Sequence, residues 1–365
     1  MQYFFTKNKM DYLQLGNDCY VRGEFAQAKV FYEQLLSQNP NNITAHHNLG
    51  LALVQLKRDQ EAIGVFKLAC DHNYTESLLS RGAAYRNIGM YEEAMADFAK
   101  VFLIDPYHAA GYSNYSNSLR EFGKPNLAIP FAQVAQQLDP NNKISRLNES
   151  IAHLYNSDLL NGWEKYDARW YYETGSSIKP ELSGPEYDGS QDLTDKTVLV
   201  YCEQGFGDCI QFSRYILLLE KLTNKIVLAS KPKLVSLFKF NFPNVSVLSH
   251  DDKIPKYDYH VALLDLPKCF KTTIDTIPYN TSYLSVDEGL RTNWQRMLGP
   301  KTKLRIGILF TSNSIAYITK FRKVEIDKML PIISDDFDFI NLSVDITDRS
   351  EEHTSELQSL RHLVC

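Results

Sequence analysis

Small and apolar residues in the first 145 positions recur with a long period. Gly16, Gly50, Gly82 and Ser116 are spaced 34, 32 and 34 apart; Ala28, Ala62, Ala94 and Ala128 each follow 12 residues later, and Tyr32, Phe66, Phe98 and Ala132 four residues after those. Asn-Pro or Asp-Pro closes three of the four units, at Asn39-Pro40, Asp105-Pro106 and Asp139-Pro140, whereas the second ends without Pro at Asn73 to Thr75. Between residues 144 and 173 the pattern stays helical, with apolar stripes through Leu147, Ile151, Leu154, Leu159, Leu160, Trp163, Tyr166 and Trp170. Gly, Ser and Pro then cluster over residues 175–190, which predicts a linker. Beyond it the period shortens. A β-branched apolar run at 197–202 leads into a Gly-rich turn and an amphipathic helix through Ile210, Phe212, Tyr215, Ile216 and Leu219. Further strand-like runs at 225–230, 245–249 and 257–264 alternate with a helical stretch at 233–240, and this β-α-β-α-β order predicts a parallel sheet.

The 34-residue units resemble the tetratricopeptide repeat, two antiparallel helices per unit. The physical logic agrees: small residues let the helices approach closely, the aromatic fills the gap, and Pro stops the preceding helix. The resemblance implies a solenoid whose groove binds peptides or partner proteins. Asn17, Asn48, Asn114 and Asn117 are the candidate partner-binding residues, since a groove-facing amide can hydrogen-bond an extended backbone; the alternative is that these side chains are only solvated.

Composition narrows the function classes. The chain has 365 residues, 39 Lys and Arg against 44 Asp and Glu, and a formal charge of −5, so no basic face points to nucleic acid. With 44% hydrophobic and 23% charged residues it reads as an ordinary globular chain. No apolar run approaches the roughly 20 residues that span a bilayer, and the first residues lack a signal-peptide core, so a cytoplasmic protein is expected. Six cysteines without a C-x-x-C pair and nine histidines without H-E-x-x-H predict buried thiols and no metal.

The chemistry-bearing string follows the first strand. Glu203-Gln204-Gly205-Phe206-Gly207-Asp208 lacks the third glycine of a dinucleotide fingerprint and the Lys-Ser/Thr of a P-loop. Read on through Ile210, Gln211, Phe212, Arg214 and Tyr215, it resembles the E-Q-G-x-G-D-x-I-Q-F-x-R-Y signature found after tetratricopeptide repeats in relatives of the heptosyltransferase-like, two-Rossmann-domain (GT-B) glycosyltransferases. Leu263 to Pro267, Ile277-Pro278-Tyr279 and Tyr283-Leu284 resemble further elements of that family, with Asp265 where Ser is commoner. The aromatic segment Gly162-Trp163 through Arg169-Trp170 resembles the element that caps the repeats in such proteins; its residues alone predict an end cap that buries aromatics. The resemblance implies an inverting, metal-independent transferase with a nucleotide-sugar donor as substrate and no cofactor. Asp208 is then the candidate base, against the alternative of a helix N-cap, and Glu203, Gln204, Gly205, Gly207, Gln211 and Arg214 the candidate substrate contacts. Gln211 and Arg214 either orient Glu203 or acceptor groups, or hold their helix to a neighbouring loop.

A second α/β half is expected to begin at a strand over 304–310, followed by a helix over 324–333 and a strand over 337–342. There Thr311, Ser312, Asn313 and Arg322 are candidate diphosphate contacts, although Phe310, Ser312 and Lys323 depart from the residues usual in the family. In RSEEHTSELQSLRHLVC (349–365), Arg349 to Ser359 back-translate codon for codon into a common short-read library adapter and Leu360 to Cys365 fit the sample index and adapter bases that follow it, so the natural product is expected to continue past Asp348.

The expected architecture is therefore an α-solenoid of four tetratricopeptide units (1–145), a helical cap and linker (146–192), the first Rossmann-like half of a GT-B transferase (193–300), an incomplete second half (301–348) and an adapter-derived tail (349–365). The expected function is nucleotide-sugar-dependent glycosyl transfer to a protein or glycan acceptor chosen through the repeats, this chain being an inactive fragment. The alternatives are a non-catalytic protein-binding scaffold and a nucleotide-binding regulatory protein.

Overall fold

The computed structural model describes residues 11–171, 179–279, 281–308, 334 and 336–342. The chain divides between Tyr283 and Leu284 into two compact units.

The first unit opens with helical hairpins: α1 (Tyr12–Val21) with α2 (Phe25–Gln38), α3 (Ile43–Gln55) with α4 (Asp59–Asp71), α5 (Thr75–Asn87) with α6 (Tyr91–Ile104), and α7 (Ala109–Glu121) with α8 (Pro125–Leu138). Each hairpin closes on itself through the periodic residues. A Cβ added at Gly16, Gly50 or Gly82 would lie 2.4, 2.4 or 2.6 Å from a ring carbon of Tyr32, Phe66 or Phe98, so only glycine admits the buried ring. The fourth hairpin exchanges the sizes. Ala132 stands in the aromatic position, and the space goes to Ser116, whose hydroxyl donates to Ala128 O at 2.8 Å.

The turns follow the sequence chemistry. Asn39, Asp105 and Asp139, each before a proline, have φ of −138°, −132° and −136°, the extended backbone that proline imposes on its predecessor. Asn42 and Asn142, two residues past their prolines, cap the next helices by accepting from Ala45 N and from Ile144 N and Ser145 N. The second linker, without Pro, is His72-Asn73-Tyr74. It is one residue shorter than the others and follows a helix one residue shorter than its counterparts, which accounts for the 32-residue spacing. Inside the hairpins the turn needs a left-handed residue. Gly23, Gly89 and Gly123 supply it, whereas Lys57 and Ser157 adopt φ of +63° at the equivalent positions.

The period continues past residue 145. Helices α9 (Lys143–Tyr155) and α10 (Leu159–Lys165) form a fifth hairpin in the same phase. Ser150 donates to Gly162 O at 2.7 Å just as Ser116 does to Ala128 O. A 3-10 turn, Tyr166–Tyr171, completes it.

The parallel sheet has strand order β3-β2-β1-β4, with β1 (Thr197–Tyr201), β2 (Lys225–Ser230), β3 (Ser246–Ser249) and β4 (Tyr259–Ala262). The predicted strands thus form: β2 has the expected bounds, β1 and β3 are each one residue shorter, and β4 loses two residues at either end. Helix α11 (Phe206–Phe212), a 3-10 turn and α12 (Ile216–Leu219) connect β1 to β2, and α13 (Val235–Asn241) connects β2 to β3; α14 (Leu266–Cys269) follows β4. Central β1 is buried from Val198 onward, as a strand covered on both faces must be.

The stretch read from composition as a linker is docked where it is described. Tyr187 N donates to His260 O and His260 N to Pro185 O, so the segment covers the free edge of β4. Gly189 (φ +92°) passes so near Cys269 that a Cβ would lie 2.4 Å from its carbonyl oxygen. Gly184 (φ +87°) and Gly189 serve a turn and close packing, which composition does not separate from flexibility.

In the second unit, α15 (Glu288–Leu298) precedes a parallel pair, β5 (Leu304–Ile308) and β6 (Phe337–Asn341). Arg305 closes the end of α15 by donating to the carbonyls of Leu298, Gly299 and Pro300 at 2.8–2.9 Å. The expected helix over 324–333 and the tail from 349 lie outside the described residues.

Candidate ligand-binding edge and its joint with the repeats

At its C-terminal end β1 delivers Cys202 and Glu203 into the turn. Gln204 takes a left-handed backbone (φ +59°), uncommon for a residue with a side chain, and its amide donates to Tyr166 Oη at 3.1 Å. Asp208, at the first turn of α11, accepts from Gly205 N–H at 3.0 Å and so closes the turn on itself. Nothing stands within 4 Å of where a Gly207 Cβ would be, and Gly205 and Gly207 are both exposed, leaving this stretch of backbone open.

Glu203 is buried, 8% exposed, and paired with Arg169: Nη2 donates to Oε1 at 2.8 Å. The other arm of the same guanidinium, Nη1, donates to Asp265 Oδ1 at 2.7 Å, from the 3-10 turn that follows β4. Burial pushes the Glu203 carboxyl up to about 7; Arg169 pulls it down and the second carboxylate, Asp265, pushes it up again. Burial also works against the charge of Arg169, but its two carboxylates outweigh this and hold it above its ordinary value. Glu203 Oε2 and Arg169 Nε have no hydrogen-bond partner.

The helical array supplies the other wall of this cluster. Trp163 packs edge-on against Phe212 (centroids 5.3 Å apart), and Trp170 joins the core around Leu199, Tyr201, Val227, Ala229 and Ala262. The guanidinium of Arg169 lies 4.3 Å over Trp170 and 5.0 Å over Tyr166. Glu164 pairs with Lys268 of α14 at 3.3 Å. The Trp-rich segment, expected to be an end cap, packs its half-buried aromatics against α11 and the sheet and joins them to the fifth hairpin.

Gln211 and Arg214 lie apart from Glu203. Arg214 Nε donates to Gln211 O at 2.9 Å, and its guanidinium sits 4.5 Å over the ring of Tyr283. The Tyr283 hydroxyl in turn donates to Ile210 O at 3.0 Å, so Arg214 ties its helix to the loop that follows. The cation that orients Glu203 is Arg169. Sequence reasoning did not select Arg169, and Asp265 stood out only as a departure from Ser. Thr311, Ser312, Asn313 and Arg322 lie outside the described residues.

The four asparagines of the repeats are half-buried and engaged. Asn17 Oδ1 accepts from Tyr32 Oη at 2.9 Å and from Asn48 Nδ2 at 2.8 Å, linking the first two hairpins. Asn114 accepts from Arg86 at 3.2 Å across the third boundary, and Asn117 accepts from Arg120. Related bonds cross the other boundaries: His47 with Ser77, Asn87 to Asp59, and Asn148 to Ser113. Burial lowers the basicity of His47.

Comparison with known proteins identifies the helical part. A TPR repeat profile matches residues 16–57 and a tetratricopeptide repeat profile residues 75–108. The chain is 24% identical over 311 residues to Protein FlbA of Caulobacter vibrioides, covering 78% of this chain and 52% of FlbA. It is also 24% identical over 161 residues to the Hsp70-Hsp90 organising protein of Plasmodium falciparum, covering 42% of this chain and 27% of that protein. The chain therefore spans about half or less of the curated relatives it matches. Among solved structures, MamA from Desulfovibrio magneticus aligns with 45% of this chain and 96% of its own at 18% identity and a TM-score of 0.40. The hairpins within residues 16–108 carry tetratricopeptide repeats, and the N-terminal region is a helical solenoid. No helix among the described residues is long and apolar enough to cross a membrane.

Proposed function

We propose that the protein is a partner-binding tetratricopeptide solenoid joined to a Rossmann-like, GT-B-type region that transfers a sugar from a nucleotide donor to a protein or glycan acceptor. The observation that carries this reading is the strand order β3-β2-β1-β4 with the glycine-containing turn at the end of β1. In doubly wound sheets that order reverses between the first and fourth strands, and ligands bind outside the carboxyl ends of the strands at the reversal. Glu203, Gln204, Gly205, Gly207 and Asp208 all lie at that edge. The alignment with FlbA is longer than the five hairpins, so the likeness extends beyond the repeats.

In the proposed reaction an acceptor hydroxyl attacks the anomeric carbon, the bond to the nucleoside diphosphate breaks, and Asp208 takes the hydroxyl proton. The open backbone at Gly205 and Gly207 receives substrate, Gln211 and Arg214 border the acceptor side, and Thr311, Ser312, Asn313 and Arg322 of the second half hold the diphosphate. In this reading residues 193–300 and 301–348 are the first half and the incomplete second half of this region. The Asn17, Asn48 and Asn114 side chains, which span repeat boundaries, and Asn117, which bonds Arg120 within its own helix, offer their remaining donors and acceptors to the partner. Five buried free thiols, Cys19, Cys70, Cys202, Cys209 and Cys269, suit the reducing cytoplasm.

One observation favours a scaffold instead: the Asp208 carboxylate already closes its own turn on Gly205 N–H, a local duty that accounts for the residue without catalysis. The test is release of nucleoside diphosphate from a panel of nucleotide sugars by the whole protein. Under the transferase reading Asp208→Asn lowers turnover about 10²–10⁴-fold. Donor binding without turnover makes it a nucleotide-binding regulator; neither binding nor turnover leaves the scaffold.

A further inference from the structure

One side chain of the repeat array grips both loops of the sheet edge. Arg169 lies in the 3-10 turn that ends the fifth hairpin and is 4% exposed. Its partners Glu203 and Asp265 come 34 and 96 residues later in the chain, from the loops after β1 and after β4, the two strands that flank the reversal of strand order. Trp170 and Tyr166 hold the guanidinium plane, and Nη1 also donates to Tyr166 O at 3.1 Å. Only a planar fork with separated donors satisfies both carboxylates at once; an ammonium is a point charge.

We propose that Arg169 is the positioning residue of the ligand edge: it sets the spacing of the β1 and β4 loops, so the fifth repeat is a structural part of the ligand site rather than a detachable binding module. That this spacing serves a ligand rests on the reading of the edge given above; the clamp itself is testable with no ligand present.

The clamp has a titratable arm. With all three groups ionised the cluster carries one net negative charge, and Glu203 Oε2 is left without a partner. The groups that face Glu203 are Arg169 and Tyr166 from the repeat end, Asp265 from the β4 loop, Tyr201 of β1 with Cys202 just after it, and Cys209 from α11. Its proton equilibrium therefore reports on the clamp with a sign. Removing the Asp265 charge makes Glu203 ionise at lower pH, whereas removing the Arg169 charge makes it ionise at higher pH.

The experiment uses the full chain as wild type, Arg169→Met, Arg169→Lys, Asp265→Asn and Glu203→Gln. Hydrogen exchange is read by mass spectrometry, and Glu203 is titrated by its protonated-carboxyl infrared band, assigned by its loss in Glu203→Gln. In Arg169→Met, exchange over 203–208 and over 263–269 accelerates together, at least about tenfold, while α1–α6 keep their protection. Arg169→Lys fails to restore both loops. Asp265→Asn moves the Glu203 midpoint down and Arg169→Met moves it up. Acceleration confined to one loop, or an Asp265→Asn midpoint that stays or rises, overturns the proposal. If Arg169→Met does not fold, the direction of the Asp265→Asn shift decides alone. No donor or acceptor enters these readouts, so the clamp stands or falls on them even in a protein that transfers no sugar.

Discussion

The repeat period rests on glycines that admit a ring, and Gly50→Ala tests this. The new Cβ would sit 2.4 Å from Phe66 Cε1. Ordinary carbon contacts are about 3.5–4.0 Å, so helix or ring must retreat by more than about 1 Å. Phe66 is fully buried, so its ring can retreat only by displacing its packed neighbours. Overpacking of this kind costs about 1–3 kcal/mol, against which the better helix propensity of alanine returns about 1 kcal/mol. Gly64 is the internal control. It lies inside α4, exposed, with nothing within 4 Å of its Cβ position, so Gly64→Ala collects the propensity gain alone.

Urea unfolding followed by far-UV circular dichroism gives both values. Both variants gain the same propensity, so Gly50→Ala is expected to be the less stable of the two by the overpacking cost alone, about 1–3 kcal/mol. The fourth hairpin suggests the rescue, since Ser116 there faces an alanine. Phe66→Ala alone costs about 3–5 kcal/mol, yet adding Gly50→Ser to it costs little, and the double-mutant cycle returns a coupling near the overpacking strain. A Gly50→Ala variant as stable as Gly64→Ala would refute the close-approach argument and leave the period without a packing cause.

Three further outcomes follow from particular contacts. Glu203 ionises in the fold at about 7 rather than near its ordinary value of 4.5, so its protonated form stabilises the fold at low pH, and this contribution is lost as pH rises through 7. Glu203→Gln therefore flattens the decline in stability between about pH 5 and 8 by roughly 1–3 kcal/mol, measured by urea midpoints across pH. Lys57→Gly relieves a left-handed lysine where other hairpins use glycine, and raises stability by up to about 1 kcal/mol in the same assay. Asp97→Asn removes the buried carboxylate that takes two guanidinium nitrogens of half-buried Arg81, at 2.7 and 2.8 Å, and lowers stability by about 1.5–3 kcal/mol, with Asp97→Ala no milder.

What the sequence disclosed depends on how local and how repeated each cause is. The Gly-to-ring contact spans 16 residues and recurs three times, so it writes a period; the Pro and Asn of the linkers act on their nearest neighbours and are legible singly. The fifth hairpin keeps the period, with Ser150, Gly162 and Tyr166 each 34 residues after Ser116, Ala128 and Ala132. Its membership is masked because a glycine replaces alanine and the aromatic stripe invites a different explanation. The strands of the sheet were legible because buried parallel strands are short apolar runs. The Arg169 clamp was not, because its partners lie 34 and 96 residues away and no periodicity relates them. A helical stripe assigns Arg169 a face but not a neighbour. The same blindness affects the asparagines: spacing puts Asn17 and Asn48 on the first helices of their hairpins, but only three-dimensional packing brings the two amides together against the Tyr32 hydroxyl. The residues most informative about the ligand edge are thus those whose partners come from another element, and Asp265, visible in sequence only as an unusual residue, has its physical reason in a guanidinium supplied by the repeats.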